Sequence, residues 1–174
     1  MRKITAYEIA LSALSCALAT ILLTLGVYVP FLLFTGYLFG GVALMLPLAK
    51  GYIRGNIFAY ISACVLSLIF TGFHFFDLMP FIVFFGLHPL VNELQLKTKI
   101  NKYLACLLKA IWFDGAMYLV WRFVFDMTTS IPFVDKYIIP ILLIAGTAFF
   151  FFYDFTMFRC RTLVNKGVGK YLKK

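Results

Sequence analysis

Apolar residues in this chain arrive in six blocks, each about as long as a bilayer is thick, and that spacing restricts the fold more than any motif does. A helix rises about 1.5 Å per residue, so about 20 consecutive apolar residues cross a hydrocarbon layer about 30 Å thick. The blocks cover residues 6–29, 31–49, 55–72, 76–93, 103–125 and 137–158. The chain is 63% hydrophobic and only 13% charged, against about 25% charged in an ordinary soluble domain, which excludes a water-soluble globule. The expected fold is all-α: an integral membrane protein of six transmembrane helices forming one domain over residues 1–174. Tyr28-Val29-Pro30 closes the first block, because the residue before a proline is steered out of helical conformation.

The formal net charge of +9 raises the question of nucleic acid, and its placement answers it. Arg2 and Lys3 precede the first block, Lys50 and Arg54 lie between the second and third, and Lys97, Lys99 and Lys102 between the fourth and fifth. Arg159, Arg161, Lys166, Lys170, Lys173 and Lys174 follow the sixth. The alternate connections hold only Lys136 and, at a helix end, Arg122. This is a positive-inside pattern, which predicts both termini in the cytoplasm (N-in/C-in) and a lipid bilayer, not nucleic acid, as the partner of the charge.

The basic start and apolar run imitate a signal peptide, but the run is long, no A-x-A-like site follows, and five more blocks come after it, so it reads as a retained first helix. Cys16, Cys64, Cys106 and Cys160 lack C-x-x-C spacing and read as small packing residues, with neither a metal nor a cofactor expected. Every connection is short and no soluble domain is expected, so energised work would require a partner to supply the energy.

Two faces carry small residues at helical spacing. Ala6, Ala10, Ala13 and Ala17 line one side of the first block, and Gly36-x-x-x-Gly40 with Gly41 marks the second. Such faces let another backbone come close, either within the bundle or from a second membrane subunit, and two in succession favour docking.

The ionisable groups inside the blocks matter because a charge at mid-bilayer costs about 2.5–3.5 kcal/mol and persists mainly where it pairs, faces a cavity or acts. At about 1.5 Å per residue, Lys109 lies about 9 Å into the fifth helix and Asp114 about 16 Å in, near the midplane. Arg122 falls close to the outer surface. Asp154 in the sixth helix sits at a depth similar to Lys109, which predicts a structural ion pair. Glu8, His88 and Asn92 share that layer. In the outer layer His74 and Asp77 open the fourth helix, Tyr118, Trp121 and Arg122 close the fifth, Asp126 starts the next loop and Tyr28 stands in the first turn. Aromatic walls with a few convergent polar groups suit a small-molecule pocket, although aromatic residues also anchor helices at the interface. Arg122 suits snorkelling and equally the bidentate capture of a carboxylate or phosphate. Asp114 fits a ligand contact, a partner for a helix dipole or hydroxyl, or a neutral acid. No H-E-x-x-H, G-x-S-x-G or P-loop is present, which speaks against an enzyme.

The six blocks, the Ala13-to-Ala17 spacing and the run "ALSALSCALATILLTLGVYVPF" resemble the substrate-binding S component of energy-coupling factor transporters. "FIVFFGLHPLVNELQ" and "LLKAIWFDGAMYL" are similar to the fourth and fifth helices of uncharacterised members. The resemblance implies an S-component-like bundle in the bacterial cytoplasmic membrane that binds a vitamin or related micronutrient near the outer ends of helices four to six. It implies docking through Ala13 and Ala17 to a transmembrane coupling protein, with two cytoplasmic ATPases supplying energy. The ligand region carries over to His74, Asp77, Trp121 and Arg122. The ligand signatures of riboflavin, thiamine, biotin or metal members are absent, so the solute stays open. Two other readings remain: the same fold as a membrane scaffold in envelope assembly, and an intramembrane enzyme centred on Asp114 or on Glu8, His88, Lys109 and Asp154.

Overall fold

Six helices are long and apolar enough to cross a membrane: α1 (Ala6–Tyr28), α2 (Pro30–Leu48), α3 (Ile53–Phe70), α4 (Phe75–Lys97), α5 (Lys102–Phe123) and α6 (Lys136–Lys170). They belong to a computed structural model that describes residues 4–98, 100–125 and 132–171. Arg2, Lys3, Lys99, Asp126, Lys173 and Lys174 fall outside the described residues. Among the described residues there is no strand. From α1 to α5 the connections are only a few residues long, so those helices run successively antiparallel, and the Lys109–Asp154 and Glu93–Arg161 pairs set α6 antiparallel to α5. Lys50, Arg54, Lys97, Lys102, Arg159 and Arg161 therefore gather at one end of the bundle, called here the basic end.

Local chemistry sets where helices begin. The Thr5 side chain accepts from the Glu8 backbone N–H at 3.2 Å and starts α1, with Glu8 in the first turn where the helix dipole favours a carboxylate. Asn101 does the same for α5, accepting from the Tyr103 N–H at 2.9 Å.

Prolines interrupt three of the helices, and side chains of neighbouring helices meet carbonyls freed around two of these sites, as an apolar surrounding demands. In α2, Pro47 has no N–H to give the Ala43 carbonyl four residues back. The Ser15 hydroxyl of α1 donates to that carbonyl at 2.8 Å, and the Asn56 amide of α3 donates to the next one, Leu44, at 2.7 Å. In α4, Pro80 leads into a π-helical turn at Phe81–Phe85. There the Gly86 N–H reaches back five residues to Phe81, and the Tyr60 hydroxyl donates to the bypassed Ile82 carbonyl at 2.6 Å. Tyr37 donates its hydroxyl to the Asp77 carbonyl one turn earlier. In α6, Pro140 precedes another π-helical turn, Leu142–Gly146.

The π-helical turn of α4 carries Phe81, Phe84 and Phe85 into the core, where all three are buried. The Phe84 ring touches Trp112 and Phe113 of α5 and Phe150 and Tyr153 of α6, so one side chain joins three helices.

Two expectations from sequence are corrected. The glycine face of α2 is internal: Gly36 lies against the Leu22 backbone, Gly40 against the Phe81 ring and Gly41 against the Phe85 carbonyl. It serves packing within the bundle because it faces α1 and α4, which leaves no access for a second subunit. The sixth helix also does not end at residue 158, where its apolar block does. α6 runs 35 residues, about 52 Å at 1.5 Å per residue, because Val168 is buried and Val164 half-buried against the bundle, giving the last turns an apolar side to cover.

Candidate functional site

Three places hold the polar side chains that a membrane bundle would not keep by chance: a buried network toward the basic end, a carboxylate at mid-height, and two polar or aromatic pairs at the opposite end.

The network is built by α4, α5 and α6. His88 and Asn92 occupy successive turns of α4, Lys109 projects from α5 and Asp154 from α6, and all four are buried. Lys109 donates to Asp154 Oδ1 at 2.7 Å and to Asn92 Oδ1 at 2.8 Å. His88 Nε2 lies 3.0 Å from the same Asp154 oxygen, close but not aligned as a hydrogen bond. Its Nδ1 is 3.4 Å from the Asn92 amide. The Lys109 ammonium also stands 5.0 Å from the Phe158 ring centroid. The ammonium is thus shared between an anion, a carbonyl oxygen and a ring face, which offsets the loss of its hydration. Toward the end of the bundle follows a second ionic layer. Arg161 donates from Nε and Nη2 to Glu93 Oε2 at 2.9 and 2.7 Å, and Lys97 lies 3.6 Å from the other oxygen. The enclosed space between the two layers is about 10 Å³, about one water. Such an arrangement clamps three helices and has no room there for a substrate. Glu8 stands apart, buried where α1 meets α3 at Gly55.

Sequence reasoning missed Asn92 as a ligand of Lys109 and missed the Glu93–Arg161 pair. The signal was present, a carboxylate at the end of one apolar block and a guanidinium just past another, but ending those blocks at 93 and 158 left Glu93 at the last position of its helix and Arg161 outside the bundle.

No family model, curated protein or solved structure matches the chain. The site is therefore argued from its own chemistry.

Asp114 faces α6 at its π-helical turn, Leu142–Gly146. Thr147 donates its hydroxyl to Oδ2 at 2.8 Å. Oδ1 is buried with no hydrogen-bond partner, and it lies so close to Gly146 that a methyl group there would come within 3.2 Å. Of the roles open to Asp114, a hydroxyl partner is the one the geometry displays.

At the opposite end, His74 Nδ1 and Asp77 Oδ2 are 3.1 Å apart on an exposed turn. Tyr118 and Trp121 set their ring centroids 6.0 Å apart, with Tyr118 partly open. Arg122 follows on the exposed side of α5. Tyr28 is drawn to α3, donating its hydroxyl to the Phe70 carbonyl at 2.8 Å. The two groups stand as separate pairs on α4 and α5. Asp114, Tyr118 and Trp121 share one face of α5 at helical spacing.

Ala6, Ala10, Ala13 and Ala17 of α1 are exposed, whereas Ala19 on the other side is buried. Ala13 and Ala17 line a groove of about 590 Å³ between α1 and α3, whose opposite wall includes Gly55, Ala59 and Ser62.

Proposed function

We propose that this chain is the solute-binding membrane subunit of an importer of the energy-coupling factor type, taking up a vitamin or related micronutrient. The observation that carries this reading is the alanine groove. Ala13 and Ala17 in its wall, continued along α1 by the exposed Ala10 and Ala6 at three- and four-residue spacing, form a seam on which a helix of a second membrane protein can approach closely, and close approach is what holds helices together where lipid and side chains are equally apolar. In this reading the occupant is a helix of a transmembrane coupling protein, two cytoplasmic ATPases act through it, and the basic end of the bundle faces the cytoplasm. The solute sits at the opposite end, between the Tyr118 and Trp121 rings and the polar groups of His74, Asp77, Asp114 and Arg122, where rings give contact area and charges fix orientation.

The test is a pair of substitutions, Ala13→Leu with Ala17→Leu. The expected outcome is loss of co-purification with a co-expressed coupling subunit, while small molecules retained by the purified protein, read by mass spectrometry, are unchanged. Undiminished co-purification would remove the docking face from the argument.

A further inference from the structure

We propose that the groove between α4 and α5 at the basic end seats one anionic glycerophospholipid, with an acyl chain along the groove and the phosphate held by Lys97 and Lys102. The groove measures about 270 Å³, and its walls are built by Val91, Leu94, Ala105, Leu108 and Trp112. From Ala105 to Trp112 the apolar wall extends about 10 Å along α5, and a helix about 10 Å across does not enter a groove this small, whereas an acyl chain does. Lys109 contributes only its methylene stem to the wall, since its ammonium is turned inward to Asn92 and Asp154.

The mouth is formed by Gln95, Thr98 and Ile100, at the short connection between the two helices. Lys97 and Lys102 bracket that connection and both are exposed; Lys97 shares Glu93 with Arg161, so that trio keeps one positive charge in excess. Together with Lys102 this excess of positive charge selects the headgroup. A glycerol headgroup leaves the phosphodiester net negative, whereas a choline headgroup cancels the charge. Basic pockets between spanning helices at a membrane surface recognise anionic headgroups on these grounds.

The proposal concerns the lipid-facing side of the bundle and does not depend on the transport reading. It is tested by native mass spectrometry of the full chain, purified into micelles doped with equal amounts of phosphatidylglycerol and phosphatidylcholine. One phosphatidylglycerol is expected to remain bound in preference to phosphatidylcholine, and Lys102→Glu with Ile100→Glu is expected to weaken that preference at least roughly fivefold, the effect of about one basic residue at the surface. Leu108→Trp, which fills the groove from an exposed position, should remove the retained lipid while the helical circular dichroism stays unchanged. Equal retention of the two lipids by the unaltered chain would overturn the proposal without any variant. So would a preference for phosphatidylglycerol that both variants leave intact, or a groove occupied by a second copy of the chain.

Discussion

Lys109 and Asp154 show how a bundle made for lipid keeps charge. Neither is stable there alone, so each substitution has a sign that depends on the other. Lys109→Met leaves Asp154 buried beside a single histidine, and the cost of breaking a buried pair from one side is about 3–5 kcal/mol. Asp154→Leu leaves the ammonium with only Asn92 and the Phe158 ring. Replacing both together removes the charge as well as the pairing, so the double variant is expected to be clearly more stable than either single one. Reversible unfolding in mixed micelles on addition of sodium dodecyl sulfate reads this, and additive losses would assign the stabilisation to packing. Depth along a helix is legible in sequence, and it sets Lys109 and Asp154 level. The partners around them were not legible, because an asparagine such as Asn92 or a threonine such as Thr147 does not interrupt an apolar block. Nothing in its spelling tells which buried group it faces.

Among the elements, only Pro30 marked a helix end in the sequence; the interruptions inside the spans, and how they are repaired, were not read from it. Pro47, Pro80 and Pro140 stand in the sequence, whereas the Ser15, Asn56 and Tyr60 side chains that serve the released carbonyls come from other helices. Small residues behave the same way, since a glycine or alanine pattern marks a close approach without naming what approaches. The structure separates the two cases: the glycines of α2 receive α1 and α4, and Ala6, Ala10, Ala13 and Ala17 of α1 face outward. This gives a paired prediction. A methyl at Gly36 would stand 2.8 Å from the Leu22 carbonyl oxygen, a backbone atom that moves only if two helices part. Gly36→Ala is expected to destabilise by about 1–3 kcal/mol, the usual cost of overpacking. At Gly115, inside α5, nothing lies within 4 Å of such a methyl, so Gly115→Ala is expected to stabilise by about 0.4–1 kcal/mol through the entropy of the unfolded chain. The same micelle unfolding measures both, and a loss at Gly115 equal to that at Gly36 would show that the α1–α2 approach is not tight.

For the whole molecule, six helices were legible because bilayer thickness imposes a length that composition alone reveals. The length of α6 was not, since its last turns mix Val164 and Val168 with basic residues and only the tertiary surface tells which side is covered. The distribution of charge then decides how the bundle stands in the membrane. Residues bearing positive charge resist translocation, and among the described residues most of them lie at the basic end, so that end is expected to remain in the cytoplasm. Cysteines placed at the two ends test this once Cys16, Cys64, Cys106 and Cys160, all half-buried and unpaired with one another, are replaced by alanine. In intact cells a membrane-impermeant maleimide should label Lys136→Cys, and it should reach Lys166→Cys only after permeabilisation. The inverse pattern would place Arg159, Arg161 and Lys166 outside. The alanine groove would then run in the opposite sense, and inward release driven by cytoplasmic ATPases would lose its geometry.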